Sequence, residues 1–446
     1  GDVAILEGGC AGWEKAGFEL FSGVNVPSKA FGEFIEHESG TPSIGAEELA
    51  RLMRDKADIT VLDSRPFDEY VRVSIPTATN VPGAELVLRL RDAVPSTATM
   101  VVVNCAGRTR SIIGAQSLIN AGIANKVVAL RNGTMGWSLA GEACDTGKER
   151  RAPSISASGL AAAREAAARV ARRFGIKRVD RAMLERWRAE AEERTLYLLD
   201  VRDPAEYAAG HLPGAISAPG GQLVQATDHY VGTLGARLVL VDDLEVRAVM
   251  TASWLLQMGW REVYVLAGGM AGLPVIAGPR RPRVPGLEAA KAESVKASAL
   301  QAMLARNEAV VVDVELSSRH MRGHVPGAWF AVRARLKRGL TRLPPALPLV
   351  LTSADGTLAR LAAADLTGSG RRILVLEGGT EAWAAAGLPL EPGLNRLADD
   401  VDDVWRSPYA DAEPAKREAA MQAYLNWEVD LVDQVARDGS LNFHVG

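Results

Sequence analysis

The chain has 446 residues, of which 48% are hydrophobic and 24% charged, and its formal net charge is −3. This length suggests about three domains, and the near-neutral charge gives no reason to expect nucleic acid or an anionic membrane as a partner. No apolar run approaches the ~18 residues of a membrane span. The three cysteines, Cys10, Cys105 and Cys144, lie too far apart to suggest a disulfide framework. We therefore expect a globular protein of a reducing, cytoplasmic compartment.

The first segment in chain order, residues 1–22, contains the pattern AILEGGCAGWEKAGFEL. An apolar strand, a glycine turn and a helix follow one another in it, as they do at the end of each repeat described next. We interpret residues 1–22 as the C-terminal part of a further domain whose front half is not in this sequence, because a strand and a helix alone cannot bury a core. Cys10 lies in the turn and is interpreted as incidental.

Three copies of one pattern fill most of the remaining chain. We call them repeat 1 (residues 42–145), repeat 2 (176–278) and repeat 3 (293–392). Each has a short helical pattern, a strand (ITVLD, LYLLD or VVVDV), a second strand (MVVVN, LVLVD or PLVLT), a helix, and a third strand that ends in a glycine turn. Apolar strands alternating with helices indicate a parallel sheet covered on both faces. The predicted fold class is therefore α/β, with small parallel sheets flanked by helices.

Two helical patterns lie outside the repeats. Residues 155–175 are rich in alanine and arginine and predict a linker helix between repeats 1 and 2. Residues 410–446 contain a long amphipathic pattern that ends at a glycine, which predicts a C-terminal helix and tail. We expect this helix to pack on a domain or on a partner subunit, and neither segment shows evident chemistry.

The second strand of repeat 1 runs directly into Cys105, which is followed by a short loop and a helical pattern that begins near Ser111. Backbone N–H groups from Ala106 to Ser111 can point at one atom, and the helix adds the positive end of its dipole. Arg108 and Arg110 add full charges. All these groups favour a thiolate, so we predict a reactive Cys105 with a pKa below the ordinary ~8.5. The alternative is a buried structural cysteine, which two nearby arginines disfavour.

The repeats and this loop together resemble the rhodanese family of sulfurtransferases. The resemblance is carried by LDSR and EY in repeat 1, by GHLPGA and GHVPGA in repeats 2 and 3, by CAGRTRS, and by the closing glycine turns. It implies a loop cysteine that cycles between thiolate and persulfide, with Cys105 as the catalytic residue. It also implies that the outer sulfur and an anionic donor are bound by Arg65, Ala106, Gly107, Arg108, Thr109, Arg110 and Ser111.

The reaction implied by the resemblance is covalent and has two half-reactions. The thiolate attacks the sulfane sulfur of an anionic donor, with thiosulfate favoured, and sulfite leaves; a thiophile such as cyanide or a thiol then takes the sulfur. No cofactor or metal is expected, since no cluster has metal-ligand spacing. Mercaptopyruvate and glutathione persulfide remain open as donors, although the loop lacks the Cys-Gly-Ser-Gly pattern typical of mercaptopyruvate enzymes. A protein acceptor and oligomer formation also remain open.

Repeats 2 and 3 have no cysteine in the equivalent loop. When the loops are aligned on the glycine that ends the following helix, Asp242 and Ser353 stand where repeat 1 has Cys105. Aspartate cannot hold a persulfide, and serine without a base is too weak a nucleophile. We therefore predict that repeats 2 and 3 are catalytically inactive.

A pair of opposite charges recurs near the first strand of each repeat. Repeat 1 has Arg65 and Glu69, and the equivalents in the other repeats are Arg202 with Glu206 and, with the signs exchanged, Glu315 with Arg319. The exchange predicts an ion pair between the two positions, so we interpret Glu69 as a structural partner. His211 and His324, in the GHLPG and GHVPG motifs, are interpreted as loop-packing residues.

Two other functions compete with sulfur transfer. A cysteine phosphatase also uses a loop cysteine and an arginine, but it needs five residues between them, and here four separate Cys105 from Arg110. A non-enzymatic persulfide carrier or protein-interaction scaffold would use Cys105 only to relay sulfur between proteins. Cys144 could resolve a Cys105 persulfide as a disulfide, although chance proximity in sequence is the favoured explanation.

Overall fold

The computed structural model describes residues 3–280, 282, 284–411 and 413–446. Within them, three five-stranded sheets have the same strand order: the first strand of each repeat pairs with the fifth, followed by the fourth, the second and the third. Neighbouring strands are parallel in all three sheets. The predicted fold class is confirmed.

The elements before and within repeat 1 are α1 (Gly9–Lys15), α2 (Val26–Ser39), β1 (Ser43–Ile44), α3 (Ala46–Arg54), β2 (Ile59–Asp63), α4 (Phe67–Arg72), β3 (Thr79–Asn80), a 3₁₀ turn (Gly83–Glu85), α5 (Leu86–Ala93), β4 (Met100–Asn104), α6 (Thr109–Asn120), β5 (Val127–Leu130) and α7 (Gly133–Leu139). The linker helix and repeat 2 comprise α8 (Ala157–Arg173), β6 (Lys177–Val179), α9 (Arg181–Ala189), β7 (Leu196–Asp200), α10 (Pro204–Ala209), β8 (Ile216–Ser217), α11 (Gly220–Gln225), α12 (Thr227–Tyr230), β9 (Arg237–Val241), α13 (Val246–Gln257) and β10 (Val263–Leu266).

Repeat 3 and the C-terminal region comprise β11 (Glu293–Val295), α14 (Ala297–Ala305), β12 (Val310–Asp313), α15 (Ser317–His320), β13 (Trp329–Phe330), a 3₁₀ turn (Arg333–Arg335), α16 (Leu336–Gly339), a 3₁₀ turn (Leu340–Arg342), β14 (Leu349–Thr352), α17 (Thr357–Asp365), β15 (Ile373–Leu376), α18 (Gly379–Ala385), a 3₁₀ turn (Pro408–Ala410) and α19 (Pro414–Asp438). Two compact units result: repeats 1 and 2 with the C-terminal helix form the first, and repeat 3 forms the second.

The first unit has a continuous apolar core that joins repeats 1 and 2. The central strands are buried valine-rich runs, as expected for a sheet covered on both faces. Across the junction, Nε1 of Trp254 in α13 donates to Oγ of Ser117 in α6 at 2.8 Å. Gly83 and Gly221 meet so closely that a Cβ at Gly221 would lie 3.1 Å from the Cα of Gly83. The two repeats therefore form one packed body.

The segments outside the repeats differ in how they pack. Helix α8 begins after Ser156, whose Oγ accepts from the N–H of Gly159 at 2.9 Å, and it buries its alanines against α5 and α13. Helix α19 packs on α2, within the first unit. Residues 3–8 form no strand, although the sequence pattern predicted one, and Ile5 is 95% exposed because no sheet lies beside it. The domain boundaries drawn from sequence remain predictions.

Candidate functional site

Cys105 directly follows β4, a strand inside the sheet of repeat 1, and opens the loop to α6. Because the strands are parallel, their carboxyl ends and the helix that follows gather at one edge. Helix α6 begins at Thr109, two residues earlier than the sequence suggested. The Cys105 side chain is only 2% exposed, and its thiol donates to Oγ of Ser111 at 3.5 Å. Oγ of Ser111 donates in turn to the carbonyl of Arg108 at 2.7 Å.

The first turn of α7 fixes the backbone of the Cys105 loop. The N–H groups of Thr134 and Met135 donate to the carbonyls of Cys105 at 2.8 Å and Ala106 at 2.9 Å. Gly133, which precedes them, has φ +52°, and a Cβ there would lie 2.4 Å from the carbonyl oxygen of Cys105. A glycine is therefore required at this position both by its backbone conformation and by the space available.

Arg65 is buried and is bound mainly by Asp63, the last residue of β2. Its Nε and Nη2 donate to the two carboxylate oxygens of Asp63 at 2.9 and 2.7 Å, and Nη2 also donates to the carbonyl of Val73 at 2.6 Å. Burial opposes the charge, but the Asp63 carboxylate outweighs it and raises the pKa of Arg65. Asn104, at the end of β4, donates to the same carboxylate at 2.9 Å. The donor-binding role expected for Arg65 remains a prediction.

The predicted ion pair between Arg65 and Glu69 is wrong. Arg65 pairs instead with Asp63, two residues before it. Glu69 forms a bidentate ion pair with Arg110 of the Cys105 loop, with N–O distances of 2.9 and 2.8 Å. Burial tends to raise the pKa of Glu69, but the charge of Arg110 outweighs burial and lowers it. Nη1 of Arg110 also donates to Oε1 of Gln222 in repeat 2 at 3.1 Å.

The same exchange of partners occurs in repeat 2, where Arg202 pairs with Asp200 and Glu206 pairs with Arg247. In repeat 3 the predicted ion pair does form, with Nη1 of Arg319 4.0 Å from Oε2 of Glu315. Glu69 is thus a structural partner as interpreted from sequence, but of the loop arginine.

Arg108 points away from the cysteine, towards α2. Its Nε and Nη2 donate to the carboxylate of Glu33 at 2.7 and 2.6 Å, and Nη2 also donates to Glu36. Burial opposes the charge of Arg108, and the hydrogen bonds and charge of Glu33 raise its pKa. Both loop arginines are therefore charged and paired with carboxylates, and Arg110 is close enough to Cys105 to interact with it electrostatically. The backbone amides and the N-terminus of α6 remain as the donors for an anion.

In repeat 2 the equivalent loop wraps a carboxylate. Asp242, at the position of Cys105, is completely buried and accepts from the N–H groups of Leu244 at 3.2 Å, Arg247 at 2.7 Å and Ala248 at 3.3 Å. The guanidinium of Arg247 donates to it as well, at 3.0 and 2.9 Å. This loop therefore coordinates a negative charge that belongs to the chain itself.

The loop of repeat 3 is a weaker version of the same arrangement. Oγ of Ser353, at the cysteine position, accepts from the N–H of Ala359 at 3.3 Å. Leu358 stands where repeats 1 and 2 have a loop arginine, so no guanidinium faces this serine from that position. Backbone N–H groups thus reach the residue that opens the loop in repeat 2 and, through Ala359 alone, in repeat 3, whereas in repeat 1 the Cys105 thiol contacts Oγ of Ser111.

Several other residues singled out in the sequence have packing positions. The rings of His211 and His324 stack on Tyr207 and His320, with centroids 3.7 Å apart in both cases. Cys144 is half-buried in the apolar cluster around Trp137, and burial raises its pKa. Among the described residues, no group of three or more His, Cys, Asp or Glu side chains could hold a metal. No helix in that part of the chain is long and apolar enough to cross a bilayer.

Sequence reasoning missed the residues that approach the loop from α2 and α19. Lys29 and Glu33 come from α2, and Glu428 comes from α19, where it accepts from Oγ1 of Thr109 at 3.3 Å. Glu428 is separated from Thr109 by 319 residues in the chain. No local motif predicts such a contact. An acidic residue on the apolar side of an amphipathic helix is the feature of the sequence that could have indicated it.

Comparison with known proteins identifies the family. The sequence profile of the rhodanese-like domain matches residues 45–140, 182–273 and 296–386. A crystal structure of thiosulfate sulfurtransferase from Pseudomonas aeruginosa is 49% identical, with a TM-score of 0.92, and the match covers 100% of this chain and 84% of that one. No curated protein sequence matched.

Shorter matches cover one domain at a time. A rhodanese-related protein from Thermoplasma volcanium is 21% identical over 22% of this chain and 97% of its own, with a TM-score of 0.21. A rhodanese-like domain protein from Staphylococcus aureus is 22% identical over 22% of this chain and 97% of its own, also with a TM-score of 0.21. The profile matches span more than half of the chain, and with the full-length structural match they show that this chain belongs to the family of rhodanese-like domain proteins.

Proposed function

We propose that this chain is a thiosulfate sulfurtransferase in which Cys105 carries the transferred sulfur as a persulfide. The observation that carries the proposal is the loop of repeat 2, whose amides coordinate the Asp242 carboxylate. The equivalent amides of repeat 1 belong to Gly107, Arg110 and Ser111, and a thiol occupies the position of the carboxylate. A loop that binds one anion by its backbone is suited to bind the thiolate, and then the outer sulfur of its persulfide.

The match to a crystal structure of thiosulfate sulfurtransferase supports the choice of donor, because it is 49% identical over this whole chain. In the first half-reaction, Sγ of Cys105 attacks the sulfane sulfur of thiosulfate, an S–S bond forms, and the sulfane S–S bond breaks with its electron pair leaving on sulfite. In the second, a thiophile such as cyanide or a thiol attacks the outer sulfur, and the electron pair returns to Sγ as thiolate.

The chain's own residues take different roles in this proposal. The amides from Ala106 to Ser111 hold the developing negative charge at both ends of the reaction, with no proton transfer required. Arg110 supplies a fixed positive charge beside the sulfur, and Glu69 fixes its orientation. Arg65 holds the strand end under the loop through Asp63, so we assign it a positioning role in donor binding.

We also propose that repeats 2 and 3 do not transfer sulfur, since Asp242 and Ser353 cannot form a persulfide. A reducing, cytoplasmic compartment is proposed because Cys10, Cys105 and Cys144 are all free thiols. The physiological acceptor is proposed to be a small thiophile, as the 2% exposure of Cys105 leaves little surface for a protein partner.

The test measures thiocyanate formed from thiosulfate and cyanide by the intact chain, by Cys105→Ser and by Cys144→Ser. We expect activity in the intact chain and in Cys144→Ser, and loss to background in Cys105→Ser. Mass spectrometry after thiosulfate alone should find one added sulfur on the peptide with Cys105. Equal activity of the intact chain and Cys105→Ser would refute the assignment of Cys105.

A further inference from the structure

The C-terminal segment, by which we mean the 3₁₀ turn Pro408–Ala410 and helix α19 (Pro414–Asp438), lies on the Cys105 loop. Met421 and Leu425 of α19 are buried against Met135 in the first turns of α7, and Tyr409 and Tyr424 pack in the same cluster. Helix α7 is the element that fixes the loop backbone. The segment is thus seated on the part of repeat 1 that presents the cysteine.

A buried ion pair between α2 and α19 holds α19 beside the Cys105 loop. Glu428 is completely buried, and its Oε1 lies 2.7 Å from Nζ of Lys29 in α2. Burial opposes the charge of Lys29, but Glu428 outweighs it and raises the pKa of the lysine. Oε1 also accepts from the hydroxyls of Thr109 at 3.3 Å and Tyr424 at 3.2 Å. Because Thr109 begins α6, one carboxylate connects α2, α6 and α19.

The other oxygen of Glu428 is directed at the loop itself. A Cβ built on Gly107 would lie 2.8 Å from Oε2 of Glu428 and 3.4 Å from Cε1 of Tyr424. Oε2 is buried, and it has no hydrogen-bond partner among the described residues. The helix therefore touches the loop backbone two residues after the cysteine, and a side chain at Gly107 would require the buried Glu428 carboxylate to shift.

Tyr409 reaches the loop from the 3₁₀ turn before α19. Its hydroxyl lies 3.5 Å from the carbonyl oxygen of Ala106, the residue next to the cysteine. Burial raises the pKa of Tyr409, and its surroundings include the charges of Arg65, Cys105 and Glu69. The ring is consequently a neutral, bulky group beside the residue that follows the cysteine.

We propose that the C-terminal segment is the outer wall of the Cys105 site, in which the buried pair of Lys29 and Glu428 fixes α19 on the loop and Tyr409 limits access to the sulfur to small donors. The inference rests on the proposed function for its meaning, since it assigns Tyr409 as a specificity-determining residue of that reaction. It explains the low exposure of Cys105: the C-terminal segment covers the side chain, and only a small donor can reach the sulfur. Tyr409 and Glu428 belong to no motif of the repeats.

The test uses alkylation of Cys105 in the full chain, followed by mass spectrometry of its peptide, with the exposed Cys10 as internal reference. Rates are compared for a small reagent, iodoacetamide, and a bulky one, N-phenylmaleimide. Tyr409→Ala should raise the alkylation rate with the bulky reagent by about tenfold or more and change the rate with the small reagent much less. Glu428→Gln should accelerate both reagents by about tenfold, because it leaves Lys29 buried without its charge partner and releases the helix.

Arg437→Gln is the matched control, since Arg437 lies on the same helix and pairs with Glu19 at the surface, away from the loop. It should leave both rates unchanged. If Tyr409→Ala keeps the size discrimination of the intact chain, the assignment of Tyr409 is overturned. If Glu428→Gln reacts as slowly as the intact chain, the fixing role of the ion pair is overturned. Should this variant fail to fold, the rates of Tyr409→Ala alone decide whether the C-terminal segment limits access to the sulfur. Alkylation does not require sulfur transfer, so a parallel thiocyanate assay separates failure of this inference from failure of the proposed function.

Discussion

At the scale of single residues, the cations around Cys105 are held by carboxylates of the chain. The pairs are Arg65 with Asp63, Arg108 with Glu33, Arg110 with Glu69, and Lys29 with Glu428. Counting arginines in the sequence therefore overstates the positive charge available to a donor. We therefore expect a thiolate at Cys105 to depend on the backbone N–H groups of its loop, which cannot be seen in the composition.

Glu69→Gln tests how much the orientation of Arg110 matters. The change removes the charge partner of a buried arginine, so we expect kcat/KM for thiosulfate to fall about tenfold and the free energy of unfolding to fall by about 1–2 kcal/mol. Glu206→Gln is the matched variant in repeat 2, where the equivalent glutamate pairs with Arg247. It should cost similar stability and leave kcat/KM unchanged. An equal loss of activity in both variants would show that stability alone is responsible.

The site residues divide into those that sequence could and could not reveal. Cys105 and the loop up to Ser111 were predictable, because a strand, a loop and a helix in succession place them at one sheet edge. The partners of the arginines were not predictable. Opposite charges a few residues apart suggested a pair between Arg65 and Glu69, but in the fold Arg65 pairs with Asp63 at the strand end. Glu69 pairs instead with Arg110 of the loop. Glu428 could not be found, as no local spacing encodes a contact between the two ends of a chain.

At the scale of elements, the loop after the fourth strand packs closely against the glycine turn after the fifth strand in each repeat. In repeats 2 and 3 the glycine equivalent to Gly133 also has a positive φ, and a Cβ would clash with the carbonyl of Asp242 or Ser353 at 2.6 or 2.1 Å. The glycine turns and the alternation of strands and helices were predictable from sequence, because they follow from local periodicity and from turns that need glycine.

Gly133→Ala should therefore damage the active loop. A left-handed backbone and a clash at 2.4 Å predict a loss of about 2–4 kcal/mol in the free energy of unfolding. Thiocyanate formation should fall strongly even below the melting temperature, because the carbonyl of Cys105 must move. Gly269→Ala in repeat 2 is the control: it should lower the melting temperature by a comparable amount and retain the activity. An active Gly133→Ala would contradict the need for this close packing.

At the scale of the whole molecule, repeat 3 forms its own compact unit with a different polar interior. Where repeats 1 and 2 bury a tyrosine, repeat 3 has His320, whose Nδ1 lies 2.9 Å from the Asp313 carboxylate. His324 stacks on this ring, and its Nδ1 lies 2.8 Å from the carbonyl of His320. The unit therefore contains two adjacent imidazoles without solvent around them.

This interior predicts that repeat 3 loses stability in mild acid. Burial lowers the pKa of His324 below that of an unfolded histidine, about 6.5. The neutral form is thus favoured by folding, and its contribution is present above pH ~6.5 and lost as the pH falls towards the folded pKa. Hydrogen exchange by mass spectrometry should show weaker protection of repeat 3 peptides at pH 5 than at pH 7.5, and His324→Asn should reduce that difference. Equal protection of repeat 3 at both pH values would contradict the prediction.

Repeats 1 and 2 also make a reciprocal contact across their junction. Arg110 of one loop donates to Gln222 of repeat 2 at 3.1 Å, and Arg247 of the other loop donates at 2.7 Å to Glu85, which occupies the matching position in repeat 1. The loop arginine of repeat 1 thus has a hydrogen-bond partner in repeat 2, and the loop arginine of repeat 2 has one in repeat 1. Each repeat therefore completes the loop of the other, and repeat 1 on its own would present Arg110 without its Gln222 contact.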